Sequence, residues 1–252
     1  MDLFSIEGKN AVVTGARQGI GFSIAKCFAV SGANVLLADV DSEVLESAKS
    51  LENQGLRAKG YVCDLGDEKQ RASLMDQAAG HFDGRLDILV NNAGIQIRHP
   101  ALEFSLEEWR KVIEINLIAV FDLCQRAGRV MARQNKGKII NVASVNSFVA
   151  GINTTAYVAA KGGVLMLTKG LANEWARLGI NVNCIAPGYT DTSMCAALYD
   201  DPVRSKDILS RIPAGRWGAP DEIASAALYL ASPASDYLCG SAIVVDGGYL
   251  SR

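Results

Sequence analysis

Asn10-Ala11-Val12-Val13-Thr14-Gly15-Ala16-Arg17-Gln18-Gly19-Ile20-Gly21, running on through Phe22–Val30 to Asn34–Asp39, is the stretch whose reading decides the fold. The first five residues are an apolar run of the kind found in strands covered on both faces. Glycines follow at once and open into a helical pattern. One glycine permits the tight strand-to-helix turn, and another lets the backbone approach a pyrophosphate. The N–H groups and positive dipole end of the helix start are then available to the phosphates. The spacing is G-x-x-x-G-x-G rather than the common G-x-G-x-x-G. The glycines alone suit plain turns equally well, and it is the strand before and the helix after that tie them to a nucleotide. Asp39 ends the second strand at the distance where an acidic residue meets the adenosine ribose. A carboxylate there accepts hydrogen bonds from both ribose hydroxyls and repels a 2′-phosphate, which favours NAD over NADP. Arg17 pulls the other way, since a guanidinium attracts a 2′-phosphate. The plain alternative for Asp39 is a helix cap or turn residue.

Beyond this unit the alternation continues. Further strands are expected at Arg57–Cys63, Ile88–Asn91, Lys138–Val142, Asn181–Ile185 and Ala242–Val245, with helical spacing between them. In Ser42–Gln54, Val44, Leu45, Ala48 and Leu51 share a face. Ser105 followed by Glu108 starts a helix through Trp109 with a capping box. The expected fold is α/β: a single doubly wound, Rossmann-type parallel sheet of seven strands with helices on both faces, spanning residues 1–252 as one catalytic domain. Tyr189–Gly218, with Pro202 and Pro213, resists assignment and reads either as a substrate lid or as a surface excursion.

Bulk properties narrow the function. With 252 residues and a net charge of −2, there is no basic surplus for nucleic acid and no polybasic tract for a membrane. The start lacks the basic and apolar regions of a secretory signal, and no apolar run approaches membrane-spanning length. The six cysteines are scattered without a C-x-x-C pair or a Cys/His cluster. They read as free thiols of a reducing, cytoplasmic compartment, with no metal site expected. The expected partner is a small-molecule substrate.

Tyr157 and Lys161 are four residues apart in a helical segment, so they lie a turn apart on one face. A tyrosine with a pKa near about 10 is a poor base at neutral pH, and a nearby ammonium favours its phenolate. Taken alone the pair also reads as a solvated surface pair. Ser144 sharpens it, since it follows the strand Lys138–Val142 at the carboxyl end, where such sheets bind ligands.

These residues, taken in order, resemble the short-chain dehydrogenase/reductase family. The resemblance rests on T-G-x-x-x-G-x-G at Thr14–Gly21, Asn91-Asn92-Ala93-Gly94, Asn116, Ser144, Tyr157-x-x-x-Lys161, Pro187-Gly188 and the ending Val245-Asp246-Gly247-Gly248. It implies a hydride-transferring oxidoreductase acting on a secondary alcohol or ketone. Tyr157 would be the general acid/base, and Lys161 would lower its pKa and hold the nicotinamide ribose. Ser144 would hold the substrate oxygen, and Asn116 a water linking Lys161 to solvent. The cofactor would lie against Gly15, Arg17, Gln18, Gly19, Ile20 and Gly21, with Asp39 on the ribose. Asp64 and Leu65 would meet the adenine, and Asn91, Ala93 and Gly94 would form the floor. Pro187, Gly188, Thr190 and Thr192 would border the nicotinamide and phosphates.

Asn91–Pro100, Arg211-Ile212-Pro213-Ala214-Gly215-Arg216-Trp217-Gly218 and Asp246–Leu250 are similar to the gluconate 5-dehydrogenase and 2-deoxygluconate 3-dehydrogenase branch. That likeness makes Arg98 a candidate clamp for a sugar-acid carboxylate. Its alternatives are a surface arginine or an inter-subunit salt bridge. For His99 a structural role is favoured over a hydroxyl contact. Two other functions remain open: reduction of a 3-oxoacyl thioester or another carbonyl, and a non-catalytic nucleotide-sensing protein, which an altered tyrosine or lysine would favour. The apolar stretches Ile223–Leu230 and Ala242–Val245 resemble the family's subunit-packing surface, implying a homotetramer, and equally suit an ordinary core.

Overall fold

In the computed structural model, which describes residues 2–195, 198 and 200–252, the strands are β1 (Asn10–Thr14), β2 (Asn34–Asp39), β3 (Ala58–Val62), β4 (Ile88–Asn91), β5 (Gly137–Val142), β6 (Ile180–Pro187) and β7 (Ala242–Val245). They form one seven-stranded parallel sheet in the order β3-β2-β1-β4-β5-β6-β7. All seven expected strands are present, with ends shifted by a residue or two. The helices are α1 (Gly19–Val30), α2 (Val44–Glu52), α3 (Glu68–His81), α4 (Leu106–Ile113), α5 (Ala119–Gln134), α6 (Thr155–Trp175), α7 (Pro202–Ser210) and α8 (Pro220–Ala231).

The pleat divides each apolar strand between two cores. Val12, Leu36, Leu89, Ile139 and Val182 pack with α3, α5 and α6 on one face. Ala11, Val13, Val35, Leu37, Val90 and Ile140 pack with α1, α2 and α8 on the other. Fully buried side chains such as Phe28 and Ile24 each contribute roughly 1.5–3 kcal/mol of transfer free energy. β1 pairs with β2 on one side and β4 on the other, with Thr14 beside Ala38 and Val13 beside Val90. Successive strands are therefore added in opposite directions on either side of the β1–β4 pair, and a crevice opens there beyond the carboxyl ends of the strands.

Four expectations are refined. Leu45 is 47% exposed, so the buried face of α2 is Val44, Ala48 and Leu51. At α4 the Ser105 hydroxyl accepts from Glu108 N (3.2 Å) and donates to the Glu108 carboxylate (2.9 Å), so Glu108 closes on the hydroxyl. The unassigned stretch contains a helix, α7, which starts at Pro202 with the Asp201 carboxylate accepting from Val203 N (2.9 Å) and Arg204 N (3.1 Å). Its proline marks the first helical position. The stretch is closed at its base by Gly218 N donating to Tyr189 O (2.9 Å) and Asp191 N to Gly218 O (2.9 Å). Finally, Ile223, Ala224, Ala227 and Leu230 of α8 are buried within this chain, against α1. All six cysteines are free thiols, and no described helix is long and apolar enough to cross a membrane.

Candidate active site

The crevice at the switch point is a cleft of about 600 Å³. Its first wall is made of backbone. The Thr14 hydroxyl accepts from Asn92 N (3.1 Å) and Ala93 N (3.2 Å), and the Asn92 amide donates to Thr14 O (3.0 Å) and Gly15 O (2.9 Å). These bonds hold the loop after β1 against the loop after β4, so closely that only glycine fits. A Cβ on Gly21 would stand 2.1 Å from Gly15 O, and one on Gly15 would stand 2.7 Å from Ala93 Cα. Gly15 is also left-handed, at φ +63. Unlike α3, α4 and α7, helix α1 has no side-chain cap at Gln18, so its first N–H groups are left for an anion. The Gln18 amide instead donates to Ser193 Oγ (2.9 Å), tying the glycine loop to the segment after β6.

Asp39 lines the cleft at the end of β2, and its carboxylate accepts from Arg17 N (3.1 Å) and Asp41 N (3.1 Å). The Arg17 guanidinium is engaged by Glu43 (2.7 Å) and Asp41 (3.4 Å). Two carboxylates thus occupy the Arg17 cation, and Asp39 is held by the Arg17 backbone N–H instead. Gly19, Ile20, Asp64, Leu65, Ala93 and Gly94 line the same cleft, as do Pro187, Gly188, Thr190 and Thr192. Asp64 is held by its own turn, accepting from Gly66 N (2.8 Å). The Thr190 hydroxyl is buried without a hydrogen-bond partner.

Ser144, Tyr157 and Lys161 converge farther along the cleft. Ser144 caps a short turn after β5, accepting from Asn146 N (3.1 Å). Tyr157 and Lys161 project from α6, with the Lys161 ammonium 5.7 Å from the tyrosine ring centre. That ammonium donates to Val142 O (2.6 Å). Burial pushes the Lys161 pKa down to about 8 and the Tyr157 pKa up to about 12. Two groups oppose the rise at Tyr157: a hydrogen bond with Ser144 and the charge of Arg98. The Lys161 ammonium is turned to the Val142 carbonyl while staying 5.7 Å from the Tyr157 ring centre, and Arg98 lines the same cleft.

Asn116 sits in a π-helical turn, Glu114–Ile118, between α4 and α5. Such turns recur at functional sites. Its amide donates to Ile95 O (2.8 Å) and accepts from Ile95 N (2.8 Å), fixing the strand of chain beside Gly94. Asn91 departs from expectation. Its side chain lies in the interior, donating to Asn141 Oδ1 (2.9 Å) and Cys124 Sγ (3.2 Å), since the pleat turns it toward α5. The neighbouring Asn92 supplies the side chain at the cleft.

Arg98 lines the cleft, half-buried and oriented by Gln96 Oε1 at 2.6 Å. Among the described residues no carboxylate lies within ion-pairing distance of it. His99 is structural, paired with Glu108 (3.2 Å) and edge-on to Phe104. Sequence reasoning passed over Cys195, Arg204, Arg211 and Tyr249, which also line the cleft. Arg211 and Tyr249 belong to two of the three stretches that carry the sugar-acid resemblance, which was the available signal.

A family model described as enoyl-(acyl carrier protein) reductase matches residues 15–250. The chain is 47% identical over 252 residues to the 2-dehydro-3-deoxy-D-gluconate 5-dehydrogenase of Bacillus subtilis, covering 100% of this chain and 98% of that one. It is 42% identical over 253 residues to the 5-keto-D-gluconate 5-reductase of Escherichia coli, covering 99% and 98%. Among solved structures, the gluconate 5-dehydrogenase of Burkholderia cenocepacia J2315, in complex with NADP and tartrate, is similar at TM-score 0.95 and 40% identity, covering 100% of this chain and 98% of that chain. With the glycine loop, the uncapped helix, and the Ser144, Tyr157 and Lys161 group in one cleft, these likenesses place the chain in the short-chain dehydrogenase/reductase family, as an oxidoreductase.

Proposed function

We propose that the chain interconverts a secondary hydroxyl and a ketone of a gluconate-type sugar acid, at the carbon the relatives' names number 5, with NAD(H) preferred. The observation that carries the chemistry is the convergence of Ser144, Tyr157 and Lys161 in one cleft, with the Lys161 ammonium 5.7 Å from the Tyr157 ring centre. The residues present fit a nicotinamide dinucleotide on two grounds. The open N-terminus of α1 lies beside the glycines, and the unpartnered Thr190 hydroxyl lies in the same cleft, suited to an amide. When bound, the nicotinamide would accept or return the hydride.

The chain's own residues manage the proton. Ser144 and Tyr157 together hold the substrate oxygen. Burial keeps the Tyr157 phenol protonated, ready to donate to a ketone oxygen as the alcohol forms. In the reverse direction Tyr157 must take the hydroxyl proton, and the Arg98 charge and Ser144 bond favour the phenolate that does so. Arg98, without a carboxylate of its own, clamps the substrate carboxylate. Asp39, with Asp41 and Glu43 occupying Arg17, supports NAD: the free charge at the ribose end is negative. The NADP in the Burkholderia relative makes this a point to measure.

The segment around 189–218 acts as a substrate lid on the single catalytic domain. The outward apolar side chains Leu106, Phe121 and Met166 of α4, α5 and α6 support a homotetramer, which light scattering of purified protein checks. The function is tested by following NADH or NADPH with gluconate, 2-deoxygluconate, 2-dehydro-3-deoxygluconate, neutral polyols and simple secondary alcohols. Turnover of a sugar acid with NAD is expected. Activity confined to neutral alcohols would overturn the substrate, and activity with NADP alone would overturn the reading of Asp39.

A further inference from the structure

The C-terminal segment is clasped to the far end of the lid. Asp246 accepts from Gly248 N (2.8 Å) and Leu250 N (2.8 Å), fixing its own turn. Ala214 N donates to Gly247 O (3.0 Å), and the Arg252 guanidinium donates to Ser210 O (3.0 Å), so the segment holds the end of α7 from two sides. Glycines at 247 and 248 let it come this close: a Cβ on Gly247 would stand 2.9 Å from Ile212 Cγ2, and one on Gly248 would stand 2.9 Å from Pro213 Cγ. Tyr249 is thereby buried, 5% exposed, in the wall of the cleft.

On its ring rests Arg211, the guanidinium carbon 4.5 Å from the ring centre. Tyr189 packs against the same ring (5.2 Å) and is backed by Trp217 (5.5 Å). An aromatic face holds a guanidinium in place without neutralising its charge. Among the described residues no carboxylate pairs with Arg211, whereas Arg216 nearby is paired to Glu222 at 2.6 Å. Arg98, Arg204 and Arg211 all line the cleft with no ion-pair partner among the described residues, and of the three Arg211 is the one seated on an aromatic ring. Arg211 rests on the Tyr249 ring, itself paired with Tyr189, and Arg98, held by Gln96 in the loop after β4, lines the same cleft.

We propose that the C-terminal segment is a working part of the substrate pocket, seating Arg211 on Tyr249 so that Arg211, with Arg98, binds the anionic end of the substrate. This rests on the sugar-acid reading above and deepens it. A sugar acid whose carbon 5 lies at Tyr157 extends its carboxylate several bonds farther out, toward the lid side of the cleft. Arg211 is then a specificity residue, and Tyr249 its positioning residue.

Steady-state kinetics of Arg211→Gln and Tyr249→Leu test this, with NAD, with the best sugar acid and with a neutral polyol. KM for the sugar acid should rise about tenfold in both, the loss of one charge-assisted contact. KM for NAD should stay within about twofold, and so should KM for the polyol. Tyr249→Phe, which keeps the ring, should stay close to wild type. Arg211→Lys, which keeps charge but cannot lie flat on the ring, should fall between. These conservative variants decide the matter if Tyr249→Leu does not fold. Equal losses for acid and polyol, or a raised KM for NAD, would assign the tail a merely structural role and overturn the proposal. If the wild-type protein turned over no sugar acid, the reading of function would fall first and this inference with it. Turnover with unchanged KM in Arg211→Gln would remove the inference alone.

Discussion

The two ends of the cleft are built from different material. At the dinucleotide end the wall is main chain: the loops after β1 and β4 are drawn together by Thr14 and Asn92, and a single methyl on Gly21 would meet a carbonyl oxygen at 2.1 Å. At the substrate end the wall is long side chains. Arg98, Arg204 and Arg211 come from a loop and a lid helix, and Tyr249 arrives from the end of the chain. Backbone walls recognise what every substrate reaction shares, and they tolerate no change. Side-chain walls recognise what differs among substrates and can be exchanged one at a time. Between them lie Ser144, in the turn just after β5, and Tyr157 and Lys161 on α6.

This contrast can be broken by measurement. The largest effect belongs to the shared centre: Tyr157→Phe should lower kcat by on the order of 10²–10⁴-fold with folding unchanged, because a positioned acid/base contributes about that much. Next comes the backbone wall. Gly21→Ala should cost about 1–3 kcal/mol, read as weaker NAD binding and a lower Tm, since the extra methyl has nowhere to go. Arg98→Ala, which deletes a whole side chain, should leave Tm nearly unchanged and raise KM for a sugar acid about tenfold, much more than for a neutral polyol. If Arg98→Ala destabilised the protein more than Gly21→Ala, the division between the two ends would be wrong. Asp39→Ser should shift the NAD to NADP preference by about tenfold toward NADP, since a charge-assisted bond to the ribose is lost.

The smallest effect is in pH. Lys161 has its pKa pushed down by burial to about 8, whereas in the unfolded chain it is near about 10.4. Between those values the unfolded state binds more protons than the folded one, so stability rises with pH through that window. Below about pH 8 the ammonium is present in both states and its burial cost is borne in full. Tyr157, pushed up to about 12, acts oppositely above about pH 10. The buried thiols Cys63, Cys124 and Cys184, raised to about 11, 12 and 11, lower stability above about pH 9 in any variant, so the test is a difference: from pH 7 to 10, Tm of the ligand-free wild type should rise relative to that of Lys161→Met.

Much of this was legible before any coordinates. Continuous apolar runs such as Ala11–Val13 read as buried strands because local chemistry and global position demand the same thing of them. The helix α7 was not legible, because its pattern is short, polar and begins with Pro202. At Asn91, expected in the nucleotide floor, the side chain faces the core, since one step along a pleated strand exchanges cleft for core.

By itself the sequence determined the doubly wound sheet and the dinucleotide loop, which depend on residues close together in the chain whose spacing dictates turn, strand and helix; the proton-transfer role of Tyr157 came with the family resemblance. Only the tertiary structure decided that Lys161 is turned to Val142, that Arg98 lines the cleft without an ion-pair partner among the described residues, and that Tyr249 reaches back beneath Arg211. Those are contacts between distant segments, and their geometry follows from how the sheet, the lid and the chain end pack, which no local spacing encodes.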